Sequence, residues 1–148
     1  MAQLTKLPGK GTILQMKIAT VFTTIASRVE LKGPAPELEM LESTDLDSTQ
    51  KEYLPGIPDG GDVEGTLWFN PNNAVHATMR DRVYSPQAAN VTDEFKLIYP
   101  DNSSTTPANE DFTGFIYKFA RTGMKRGELV QAEFAIKQTG TNTRSPGV

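Results

Sequence analysis

Apolar and polar residues alternate over much of this chain. Over 62–70, Val63, Gly65, Leu67 and Phe69 fall on one face and Glu64, Thr66 and Trp68 on the other, the period-two pattern of a strand with one buried side. A second run over 94–99 sets Phe95, Leu97 and Tyr99 against Glu94, Lys96 and Ile98 and stops at Pro100. The spacing over 112–121 puts Phe115, Tyr117 and Phe119 on one side. That over 128–138 does the same for Val130, Ala132, Phe134 and Ile136. Between them Thr122-Gly123-Met124-Lys125-Arg126-Gly127 supplies the turn chemistry of a hairpin. Segments 12–18, 27–31 and 37–43 predict three more strands.

One segment breaks the rhythm. Asn70 suits an N-cap and Pro71 the first helical position, and Val75, Met79 and Val83 then recur at four-residue spacing. This predicts an amphipathic helix of about three to four turns that packs through those three residues and ends near Ser85 and Pro86. Its outer face would carry His76, Arg80 and Asp81 or Arg82. The expected architecture is mainly β: an antiparallel β-sandwich or barrel with one flanking α-helix. At 148 residues the chain is one domain, 1–148. The Ser/Thr/Asn/Pro-rich stretch 101–108 reads as a loop, and about 1–11 and 140–148 read as flexible ends.

Composition agrees with this picture and removes alternatives. Twelve Gly and ten Pro favour many short strands joined by turns. Fifteen basic and eighteen acidic residues give a net charge of −3 with no long run of either sign, so no basic nucleic-acid footprint stands out. The absence of cysteine excludes disulfides, thiolate zinc sites and cysteine nucleophiles. No apolar stretch is long enough for a signal peptide or a bilayer span, which gives the expectation of a protein without a membrane partner.

Candidate chemistry is sparse. The one histidine, His76, has no Gly-x-Ser-x-Gly motif near it and reads as solvent-facing. Asp59, Asp62 and Glu64 around Gly60-Gly61 lack the spacing of a calcium loop, and the two glycines read as a turn opening a strand. Gly9-Lys10-Gly11 has neither the spacer nor the helix of a phosphate loop. The sequons at Asn90 and Asn102 read as chance matches. The reading is of no catalytic site, no metal and no cofactor. Trp68, opposite Leu67 and Phe69, is either a second core layer or an interface anchor.

A longer pattern over 39–85 resembles the major tail tube proteins of lambda-like long-tailed bacteriophages. Glu42-Ser43-Thr44-Asp45-Leu46-Asp47-Ser48-Thr49 is similar to an acidic, Thr-rich stretch of that family. Tyr53-Leu54-Pro55-Gly56-Ile57-Pro58-Asp59-Gly60-Gly61-Asp62-Val63 is similar to its turn into a strand, and Leu67-Trp68-Phe69-Asn70-Pro71 with His76 to its strand, Phe-Asp/Asn-Pro step and helix. Asn70 stands where the family often has an acid. The resemblance implies a β-sandwich with one helix that forms hexameric rings stacked into a tube for DNA ejection, in a virion tail assembled in the host cytoplasm. Implied partners are the chain itself, a tape measure protein inside the tube, tail tip or baseplate and tail terminator proteins, and double-stranded DNA in transit.

Site expectations follow from combining the resemblance with physics. The connection 44–61 is long for a hairpin, and its Asp45, Asp47, Tyr53, Leu54 and Ile57 are expected to dock between stacked rings. A tube that releases DNA quickly needs walls that do not bind phosphate, which makes Glu37, Glu39, Glu64 and Glu133 the lumen candidates. Two other readings remain open here. One is the inner tube of a contractile injection or type VI-like system; the other is a monomeric β-sandwich binding module.

Overall fold

The computed structural model describes residues 6–85, 92–101 and 105–148. The described elements follow in the order β1 (Ile13–Ile18), β2 (Val21–Thr24), β3 (Arg28–Lys32), β4 (Glu37–Glu42), β5 (Tyr53–Asp59), β6 (Asp62–Trp68), α1 (Ala74–Tyr84), β7 (Asp93–Ile98), β8 (Asn109–Thr122) and β9 (Gln131–Ser145). Seven strands form one antiparallel sheet in the order β2-β1-β7-β8-β9-β6-β3, and β4 and β5 form a separate two-stranded ribbon.

The long β8–β9 hairpin turns that single sheet into two layers. Residues 109–114 of β8 pair with β7 on one edge and with the last part of β9 on the other. Residues 131–137 of β9 pair with the last part of β8 and with β6. Register breaks after Phe112 and after Ile116 let the hairpin bend between its halves. Leu14, Met16, Phe95 and Leu97 from one half thereby meet Val63, Leu67, Phe134 and Ile136 from the other in one core, each buried side chain contributing about 1.5–3 kcal/mol. The result is an antiparallel sandwich; among the described residues no barrel closes within one chain.

The helix packs through Val75 and Met79, both in the core, with Val83 against its margin. Its start differs from expectation. The N-cap is Asn73, whose Oδ1 accepts the Val75 and His76 N–H groups at 3.0 and 3.1 Å, while Asn70 accepts the Asn72 N–H in a preceding turn. His76 is buried rather than solvent-facing, at 1% exposure. Its Nδ1 accepts the Asn70 N–H at 3.2 Å and its Nε2–H donates to the Ala26 carbonyl at 3.0 Å. At the other end Arg82 bridges to Asp93 at the start of β7, whose carboxyl is raised by burial against the pull of that guanidinium. Pro86, expected to end the helix, and both sequon asparagines, Asn90 and Asn102, lie outside the described residues.

Several other expectations change. In β8 the buried apolar side chains are Phe112 and Ile116, with Phe115 and Tyr117 exposed; the irregularity after Ile116 rephases the strand, so Phe119 packs against the core again. Phe115, Tyr117 and Phe119 therefore do not share one face. β9 runs on to Ser145, so residues 140–145, expected in a loose end, are strand paired with the start of β8. β2 and β5 were not expected. β2 follows a two-residue turn in which Ala19 and Thr20 both have positive φ, a geometry sequence reading associates with Asn-Gly. β5 contains Pro55 and Pro58 and sits in a two-stranded ribbon, where every strand is an edge and proline is tolerated.

Candidate assembly surfaces

Among the described residues, the ribbon contributes no side chain to the core. Every residue of β4 is exposed, and every residue of β5 except Gly56. The register pairs Leu38 with Pro58, Met40 with Pro55 and Glu42 with Tyr53, which gathers Leu38, Met40, Tyr53 and the two prolines on one face. The other face carries Glu37 opposite Asp59 and Leu41 opposite Leu54, with Glu39 over Gly56. Met40 is 74% exposed, Ile57 79%, and Leu46 at the ribbon tip fully so. A two-stranded hairpin is marginal alone in water, and an exposed apolar surface of this kind marks a binding face. The tip is ordered by its own bonds: Ser43 N–H to the Glu52 carbonyl and Glu52 N–H to Thr44 Oγ1, both 2.8 Å, and Asp45 Oδ1 accepting from Asp47 N–H and the Ser48 hydroxyl. The connection 44–61 is thus an ordered tip plus strand β5, not an open loop.

Where the ribbon joins the body, the backbone is locked. A Cβ on Gly61 (φ 73°) would lie 2.2 Å from the Ala35 carbonyl oxygen, and one on Gly33 (φ 104°) 2.4 Å from that of Asp62, so neither position admits a side chain. Lys137 reaches Asp59 at 3.3 Å and Asp62 at 3.5 Å, and Tyr117 donates to Asp62 at 2.8 Å. The Gly61 N–H, first, and then Lys137 hold the Asp59 carboxyl below its ordinary range, and Asp59 in turn raises the Lys137 ammonium. The Asp59/Asp62 pair weighed for calcium is therefore bridged by an ammonium group.

The half-sheet β3-β6-β9-β8 has two open edges. Among the described residues no strand pairs with the outer edge of β3, or with that of β8 beyond Gly114. Its outward face brings Glu64 and Glu133 together, because Thr66 pairs with Glu133 and Glu64 with the next outward residue of β9, Ala135. They border a shallow concavity of about 240 Å³ shared with Glu30, Lys32 and Lys118, and Lys118 lies 3.7 Å from Glu133. The face is mixed in charge. Glu37 and Glu39 are not on it; they lie on the ribbon with Asp45, Asp47, Tyr53, Leu54 and Ile57. Trp68 points outward at 39% exposure, so it does not form a second core layer. Sequence reading missed the apolar ribbon residues Leu38, Met40 and Leu41 and the locking residues Gly33, Tyr117 and Lys137. The alternation of Leu38 and Met40 with glutamates was visible but read as a body strand.

No protein-family model matches this sequence, and no curated protein does. Solved structures do. The tail of an empty gene transfer agent particle, refined with helical C6 symmetry, superposes with a TM-score of 0.76 at 19% identity, covering 95% of this chain and 99% of the other. The SPP1 tail tube gives 0.71 at 11% identity over 97% and 81%. A component of the PVC sheath-tube complex of an extracellular contractile injection system gives 0.73 at 11% identity over 97% and 93%. No helix among the described residues is long and apolar enough to cross a membrane. The fold of this chain is the one found in the tails and tubes of phage-like particles and contractile injection systems.

Proposed function

We propose that this chain is a structural subunit that assembles into stacked hexameric rings, forming the tail tube through which double-stranded DNA leaves a phage-like particle. The observation that carries this reading is the exposed apolar ribbon β4–β5 on a chain that superposes over 95% of its length on a subunit of a particle tail. A monomeric binding module has no use for such an arm. In a ring, the open edge of β3 on one copy meets the open edge of β8 on the next, which removes both edges and closes a barrel around a lumen. That contact is heterologous and closes by rotation, while ribbon contacts above and below extend the tube. The outward face of the half-sheet, with Glu64 and Glu133, then lines the lumen, and Glu37 and Glu39 belong to the ribbon contact between rings. A tape measure protein within the tube and terminator and tip proteins at its ends complete the set of partners, and no enzymatic step is required.

Replacing residues 47–58 by a short Gly/Ser linker tests the reading. The variant should remain folded and fail to form tubes, seen by size-exclusion chromatography and electron microscopy; normal tubes would remove the ribbon from assembly. A second reading, the inner tube of a contractile system, is favoured by the sheath-tube likeness. It leaves the subunit contacts unchanged.

A further inference from the structure

The charge of this chain is divided between its parts. Residues 37–60, the ribbon and its root, hold seven acidic residues against Lys51 alone, six net negative charges in a chain whose total is −3. The remainder is consequently net +3. No sequence run reveals this, because apolar residues separate the acids.

The strand register then sets where the two charges lie. β6 begins at Asp62, directly after the ribbon, and ends at Trp68, which pairs with Gln131 just after the β8–β9 turn. β3 runs the opposite way, from Arg28 opposite Leu67 to Lys32 opposite Glu64, and then leads into the ribbon. The ribbon therefore leaves one end of the half-sheet, and the β8–β9 turn leaves the other, about 20 Å away along β6. That far end is basic. Lys125 and Arg126 stand on the exposed turn beside Met124 (71% exposed). Lys10 and Arg28, with Glu30 as the one acid, line a groove of about 540 Å³ between residues 9–12 and the start of β3. Lys125 has Glu128 at 3.7 Å, while Arg126 has no ion pair among the described residues.

We propose that the acidic, apolar ribbon of one copy seats on this basic far end of a second copy, between the Lys10/Arg28 groove and the Met124-Lys125-Arg126 turn. The proposal rests on the tube reading and adds the receptor that the ribbon engages and the force that selects it. Complementary charges at opposite ends of one subunit favour head-to-tail stacking and oppose ribbon-to-ribbon contact, so the tube acquires a single polarity. The apolar ribbon face supplies burial once the ends are aligned.

Two charge-reversed proteins test this without disturbing the core. One carries Glu39→Lys, Glu42→Lys, Asp45→Lys and Asp47→Lys, which turns the ribbon net positive; the other carries Lys10→Glu, Lys125→Glu and Arg126→Glu. Tube formation is read by sedimentation and electron microscopy, with circular dichroism to verify folding. The parent should form tubes, fewer as salt is raised. Each reversed protein alone should form none, and an equal mixture should recover them, since each ribbon then faces an end of opposite sign. Tubes from either reversed protein alone, or no recovery in the mixture, would overturn the proposal and leave the tube reading standing. A parent that forms no higher assembly under any condition would overturn both.

Discussion

His76 offers a direct check on how the helix is anchored. Its ring, stacked on Phe69 with centroids 6.1 Å apart, satisfies the Asn70 N–H at the end of β6 and the Ala26 carbonyl in the β2–β3 connection. His76→Leu keeps much of the volume and orphans both backbone groups. Asn70 is exposed and Ala26 half-buried, so water replaces part of each lost bond, and the net loss should be about 1–2 kcal/mol. For a chain of this size that lowers Tm by roughly 3–8 °C. Thermal and urea unfolding measure it. His76→Asn, whose carboxamide oxygen takes the place of Nδ1, should recover part of the loss, which a pure packing role would not allow. A His76→Leu protein melting within about 1 °C of the parent, as for an ordinary surface substitution, would refute the buried, doubly bonded histidine.

Three further outcomes are expected. Met79 is fully buried, so Met79→Asp places an unpaired charge in the core and should cost at least about 3 kcal/mol in urea unfolding; an unchanged midpoint would contradict the helix register. At the ribbon root, Asp59 has a folded pKa below its ordinary 3.8, so its contribution is present above that value and is lost as pH falls through the lowered one. Lys137, raised above 10.5, contributes below that value and loses its contribution only as pH rises through the higher one. The Gly61 amide resonance should accordingly titrate with a midpoint below 3.8, and a midpoint at or above it would contradict the root geometry. In assembled particles, Glu64→Lys with Glu133→Lys should leave tubes intact and slow DNA passage, because added lysines bind phosphate; ejection at the parental rate would remove these residues from the lumen.

What the sequence revealed depended on whether local pattern and tertiary context agreed. β6 and β7 were legible because their alternation runs unbroken and one face is buried. β8 alternates as well, but the irregularity after Ile116 inverts its phase, and a bulge leaves no mark in the order of apolar residues. β2 was hidden by a turn without glycine and β5 by prolines that an edge strand tolerates. His76 was assigned outward because it stands next to Val75, whereas the buried stripe is wide enough to include both. The apolar residues Tyr53, Leu54 and Ile57 could be recognised in 44–61, but the isolation of β4 from the body could not, since Leu38 and Met40 alternate with glutamates as a half-buried strand would. The segregation of charge also required topology, because only the register places the acidic and basic segments at opposite ends.

Whether copies of this chain build a tube can be seen by cryo-electron microscopy of the concentrated protein. The expected image is a six-fold tube in which β3 of each copy pairs with β8 of its neighbour and the ribbon spans to the adjoining ring. A protein that stays a uniform monomer at every concentration and salt, with its ribbon bare in solution, would contradict it.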